Sequence, residues 1–219
     1  DERFSTPRAP ARIYRKSKPY GNTAKQWPEE YASEHFVYLK MHAPMRAGAT
    51  YSIALRDSPL DRDHLSFKYD PRTARSEAVH VSQIGFRPDD PAKRAYLSCW
   101  MGDGGGIDYG SGIRFEVLEN GTGESVCSGK AELFFPKGSA EINGKNNTRA
   151  DVYTMDFADV TEPGIYRVSV EGIGCSCPFE LGEDVWSNAF YASVRGLYHQ
   201  RSGIELGPPF TDFRRPRSF

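Results

Sequence analysis

Long apolar runs are missing from this 219-residue chain: none approaches the roughly 20 residues a membrane-spanning helix needs, so no membrane partner is expected. The N-terminus also lacks the charged, apolar and small-residue order of a secretory signal, although a removed signal would leave the same picture. Charge of one sign is equally scarce. Lys and Arg number 28 against 29 Asp and Glu, a formal net charge of -1, which gives no reason to expect nucleic acid, a polyanion or an acidic membrane as partner. Cysteine is sparse too. Cys99, Cys127, Cys175 and Cys177 are too few for a disulfide scaffold and lack the paired C-x-x-C knuckles of a structural zinc site. A bridge between Cys99 or Cys127 and the later pair stays open beside the alternative of buried free thiols.

What is present is β-forming. Aromatic residues make up 13% of the chain and mean hydropathy is -0.60, which favours a soluble, globular, mostly β protein. Residues 1–35 hold four prolines and many basic side chains with few apolar positions, and read as an extended arm or linker. Three strand signals follow, Phe36–Met41, Thr50–Leu55 and Leu65–Tyr69, and suggest a short β unit over 36–76, the remnant of a preceding module. From residue 77 the rhythm is regular. Strands are predicted at Ala78–Val81, Arg94–Met101, Ile113–Val117, Asp151–Phe157, Ile165–Val170 and Pro178–Leu181, punctuated by Gly, Pro and Asp clusters with no helical crossover between them. That spacing indicates an antiparallel β-sandwich over 77–182. Pro163-Gly164-Ile165-Tyr166 places a tyrosine at a strand entrance as an immunoglobulin-like tyrosine corner would, with Tyr166, Val168 and Val170 on one face. The Cys-Trp-Cys core of antibody domains is absent.

After Leu181 the period changes. Asp184 can cap a helix whose apolar positions Val185, Trp186, Ala189, Phe190, Val194, Leu197 and Tyr198 recur at three- and four-residue spacing, and Gly203 can end it. So broad an apolar stripe needs a partner surface, and the tail to Phe219 contains no second helix pattern to supply one. The chain reads as stopping just after a new domain, 184–219, has begun.

Candidate chemistry is thin, and no catalytic, cofactor-binding or metal-binding residue is assigned. Gly102-Asp103-Gly104-Gly105-Gly106 lacks the Lys-Ser or Lys-Thr ending of a phosphate loop and reads as a strand connection. His35, His42, His64, His80 and His199 show no metal-type spacing. Asp89-Asp90, between Pro88 and Pro91, reads as a solvated turn, because glycosidase carboxylates usually come from separate segments. Cys175 and Cys177 share the strand phase of Phe179 and Leu181, which predicts core thiols and not a redox pair. Asn120-Gly121-Thr122 and Asn146-Asn147-Thr148 match the glycosylation triplet, which requires exposure and a eukaryotic secretory route. Trp27, Trp100 and Tyr109 have faces that could stack on sugar rings, with core packing the simpler reading for Trp100.

Val79-His80-Val81-Ser82-Gln83-Ile84-Gly85-Phe86-Arg87-Pro88 resembles the opening of the immunoglobulin-like module that precedes the catalytic domain in glycoside hydrolase family 9, the cellulase family, where a V-N-Q-V-G-Y-x-P type motif is usual. Tyr153–Phe157, Pro163–Val168 and Leu197–Gly203 follow in the expected order, the last resembling the family's Y-x-Q-R-x-G signature on the first helix of its α-toroid. Ser82 and Phe86 depart from the usual Asn and Tyr. The similarity covers about 77–219. It implies a non-catalytic portion of an extracellular or periplasmic endoglucanase-like enzyme acting on β-linked glucans, whose partner is the catalytic domain of the same chain. The family's inverting hydrolysis relies on a D-A-G-D type Asp pair and a distant Glu, neither of which lies in this sequence. A carbohydrate-binding or cell-surface adhesion sandwich without catalysis is the alternative.

Overall fold

The computed structural model describes residues 1–22, 30–55 and 61–217. Among the described residues, thirteen strands and one α-helix follow in order: β1 Arg12–Asn22, β2 Tyr31–Lys40, β3 Thr50–Ala54, β4 His64–Lys68, β5 Val79–His80, β6 Arg94–Leu97, β7 Arg114–Glu119, β8 Ser125–Lys130, β9 Glu132–Phe135, β10 Val152–Asp156, β11 Gly164–Val170, β12 Gly174–Cys175, β13 Phe179–Leu181 and α1 Val185–Gln200.

Two antiparallel sheets form the sandwich, one in the order β5-β6-β10-β9 and the other β12-β11-β7-β8, with β13 also paired to β11. The alternation read from the sequence sets their inner faces. Along β11 the side chains of Tyr166, Val168 and Val170 are buried, and they face Phe115 and Val117 of β7 with Ala95, Leu97, Tyr153 and Met155 of the opposite sheet in one core. Phe86, Phe157, Phe179 and Tyr166 close one end through ring pairs 5.4–6.2 Å apart, the range in which aromatic side chains attract. The tyrosine corner is present: Tyr166 Oη donates to the Glu162 carbonyl at 2.9 Å, four residues upstream, with the ring 4% exposed.

The Gln83-Ile84-Gly85-Phe86 stretch owes its composition to a close approach. Gly85 has φ +93°, and a Cβ there would lie 2.2 Å from the Glu180 carbonyl oxygen, so only glycine fits. The approach lets Phe86 N–H bond Glu180 O at 2.9 Å and Gly182 N–H bond Phe86 O at 3.1 Å, tying the start of the sandwich to its last strand. The turn that follows wraps a buried ammonium: Lys93 Nζ, in a residue 1% exposed, donates to Pro88 O at 2.8 Å and Asp90 O at 2.7 Å. Buried charge is tolerated only when so satisfied.

The segment before residue 77 differs from the sequence reading. Residues 12–22 are not an extended arm but β1, paired over ten register positions with β2. Phe36–Met41 therefore pairs upstream with β1, and β3 pairs with β4, giving two hairpins in place of one three-stranded unit. The reason lies in the faces. Tyr14 and Lys16 of β1 lie opposite Tyr38 and Phe36 of β2, forming a mixed aromatic and cationic face that finds cover on the sandwich, whereas Ile13 and Val37 stay exposed on the other side. The second hairpin packs Tyr51 between Phe4 and Phe67, and Tyr51 Oη donates to Asp1 Oδ2 at 2.7 Å.

Candidate functional site

The helix that the sequence predicts is present, though the Asp184 side chain makes no capping bond. Only Val185 of α1 is buried. Trp186 is 50% exposed, Phe190 70%, Val194 44% and Leu197 70%, so the sandwich leaves the apolar stripe uncovered. The helix end is held by the segment after it: His199 Nε2 and Thr211 Oγ1 are 2.8 Å apart, Tyr198 meets the Phe210 ring, and Leu206 pairs with Arg215 through two backbone hydrogen bonds. Ser218 and Phe219, the end of the tail, lie outside the described residues.

A second feature is a cleft of about 610 Å³ between β1 and the sandwich, and its floor is an ionisable cluster. Lys16, pointing off β1, places Nζ 3.1 Å from both Glu77 carboxylate oxygens and 5.0 and 5.3 Å from the Phe36 and Tyr38 ring centroids. Tyr38 Oη donates to Glu77 Oε1, and Cys99 Sγ donates to the same oxygen at 3.7 Å. Burial alone raises the Glu77 carboxyl, but bonds from Tyr38 and Lys16 and the ammonium charge outweigh it and hold Glu77 below its ordinary value. Burial likewise opposes the Lys16 charge and is outweighed by Tyr38 and Glu77, leaving Lys16 raised. Burial with the Glu77 bond pushes Tyr38 up to about 12, and burial beside the Glu77 charge pushes the Cys99 thiol up to about 11, which makes it a poor nucleophile at neutral pH.

The glycine run Gly102–Gly106 is the sandwich's seat for the hairpin and not a phosphate loop. A Cβ on Gly102, at φ +72°, would lie 2.1 Å from the Arg15 carbonyl oxygen, and Asp103 Oδ1 accepts from Arg15 N–H at 2.7 Å.

The remaining sequence candidates resolve individually. Asp89 pairs with Arg87 at 3.0 Å and Asp90 Oδ1 accepts from Ala92 N–H at 2.8 Å, so both carboxylates hold the turn. His35 meets Ser17 Oγ, His42 Nε2 donates to Ala9 O, His80 Nε2 donates to Ser98 O, and His64 opens β4. Among the described residues no group of three His, Cys, Asp or Glu is arranged to hold a metal. All four cysteines are free; Cys175 is buried as expected, whereas Cys177 is only half-buried and lines the cleft because the strand ends at Cys175 and breaks its phase. Asn146 Nδ2 already donates to Pro136 O and Ser139 O, and Asn120 Oδ1 accepts from Arg167, so neither triplet asparagine is unengaged. Trp100 is half-buried and lines the cleft, Tyr109 packs edge-on to Tyr153 at the core, and Trp27 lies outside the described residues.

Two antiparallel sheets, a tyrosine corner and the Phe86–Leu181 tie define an immunoglobulin-like β-sandwich. More narrowly, residues 74–175 match the cellulase N-terminal ig-like domain. The chain is 33% identical over 132 residues to endoglucanase D of Acetivibrio thermocellus, an alignment covering 60% of this chain and 18% of that protein. It is 29% identical over 132 residues to a cellodextrinase of Butyrivibrio fibrisolvens, covering 60% of this chain and 20% of that one. Among solved structures, a metagenome-derived glycoside hydrolase family 9 endoglucanase superposes with a TM-score of 0.49 at 26% identity, over 63% of this chain and 23% of the other. The chain thus spans about a fifth of the length of the curated relatives it matches.

Proposed function

We propose that the chain is the N-terminal, non-catalytic portion of an extracellular or periplasmic glycoside hydrolase that degrades β-linked glucans, with residues 77–182 as a buttress and 184–219 opening a catalytic α-toroid. The observation that carries this reading is the uncovered stripe of Trp186, Phe190, Val194 and Leu197 directly after a stretch that matches the cellulase N-terminal ig-like domain. Burying each such side chain is worth about 1.5–3 kcal/mol, so a following helical layer that covers the stripe would gain stability from the contact and pass it to the sandwich through Val185. The relatives named endoglucanase and cellodextrinase supply the substrate class. An adhesion sandwich fits less well, because a domain acting alone gains nothing from an apolar helix left bare at its exit.

The chain, incubated with carboxymethylcellulose and aryl cellobiosides, is expected to release no reducing sugar or aglycone. Turnover by the purified chain that disappears on mutating one of its carboxylates, Asp89→Asn for instance, would overturn the non-catalytic assignment.

A further inference from the structure

We propose that the cleft between β1 and the sandwich is a binding site for an acidic saccharide, a carboxylate-bearing pyranose held by Lys18 and Arg75 beside Trp100. The inference stands apart from the accessory-domain reading, since it concerns groups of this chain alone. The cleft, at about 610 Å³, falls within the range of about 300–1,000 Å³ typical of small-molecule sites. Its charge is lopsided although the whole chain carries only -1. Lys16 is neutralised by Glu77 at 3.1 Å. Lys18 and Arg75 line the same cleft, and among the described residues neither has a carboxylate in ion-pair reach; Lys18 lies only over the Phe36 ring, 4.9 Å from its centroid.

Two cations that form no ion pair among the described residues favour an anion, and a guanidinium presents a planar fork that fits a carboxylate. The rest of the wall selects a polyhydroxylated ring over a bare ion. Trp100 contributes aromatic surface, and Gln83 and Thr148 offer an amide and a hydroxyl for sugar hydroxyls. A neutral glucan in the same place would desolvate both cations with nothing to offset them, so the cleft discriminates against it.

The test is calorimetric titration of the 219-residue chain at low ionic strength with three probes: tetragalacturonate, cellotetraose and inorganic phosphate. Tetragalacturonate should bind at least about ten-fold more tightly than either of the others and weaken as salt is added. The double variant Lys18→Gln/Arg75→Gln changes two exposed side chains, and should lose about ten-fold in affinity with an unchanged unfolding midpoint. Trp100→Phe, which keeps an aromatic ring in the wall, should lose part of the affinity. Cellotetraose binding as tightly as tetragalacturonate, phosphate displacing it at equal concentration, full affinity in the double variant, or no binding at all would each overturn the proposal. None of these outcomes touches the hydrolysis assay.

Discussion

Single side chains in this sandwich hold positions far apart in sequence, and Tyr166 is the plainest example. Its ring packs at 6.2 Å from Phe179 while its hydroxyl fastens the turn at Glu162, so one residue serves both core and corner. Tyr166→Ala should cost roughly 3–5 kcal/mol, the range for truncating a buried aromatic. Tyr166→Phe keeps the packing and loses one hydrogen bond, so it should cost only about 0.5–1.5 kcal/mol. Urea unfolding of both variants checks the split; equal losses would mean the corner bond, not the ring, dominates. Lys93 shows the same economy, since its ammonium replaces a salt bridge with two carbonyls of its own turn.

At the level of elements, the hairpin β1–β2 meets the sandwich at the Gly102–Gly106 seat and at the Lys16–Glu77–Tyr38 cluster, and the cluster makes its docking dependent on pH. Glu77 sits below its ordinary pKa of 4.5, so its contribution is present above that value and is lost as pH falls through the lowered one. Lys16 is raised above 10.5 and Tyr38 reaches about 12, so their contributions hold below their ordinary values and fade in strong alkali. The unfolding midpoint of the wild type should exceed that of Glu77→Gln at neutral pH, and the gap should close as pH drops below the carboxylate range. A gap that persists unchanged at low pH would show that the carboxylate charge is not what seats the hairpin. Sequence periodicity revealed β6, β7, β10, β11 and α1 because β-branched and aromatic residues alternate, or recur every three to four positions, within each. It missed β1, where Lys, Arg and Pro19 mask the alternation, and β8, whose Ser, Cys and Gly side chains carry almost no hydrophobic signal. It also missed which strand partners Phe36, because pairing is set by a face completed only on the sandwich. The cleft was illegible for a similar reason. Residues 16, 18, 75–77, 79–81, 83, 98–100, 148 and 177 contribute to it, and no local pattern announces so distant a meeting.

For the molecule as a whole, the bare helix sets its behaviour in solution. A contiguous stripe of four large apolar side chains on a helix favours self-association. Light scattering of the chain should show concentration-dependent growth that Phe190→Ser/Leu197→Ser reduces, with the unfolding of the sandwich unaffected, since neither residue is buried in it. A monomer at all concentrations with slowly exchanging helix amides would instead mean that the chain covers its own stripe. The sandwich itself is closed by two parallel ties: Ser76 and Ala74 bond Cys175, and Phe86 bonds Glu180 and Gly182. Both join the segment entering the domain to the segment leaving it, running in the same direction. Tension applied between residue 73 and residue 183 would therefore pull these bonds in shear, loading several at once, whereas a hairpin arrangement would let them unzip singly. A domain wired in this way transmits a mechanical load along its length before it yields.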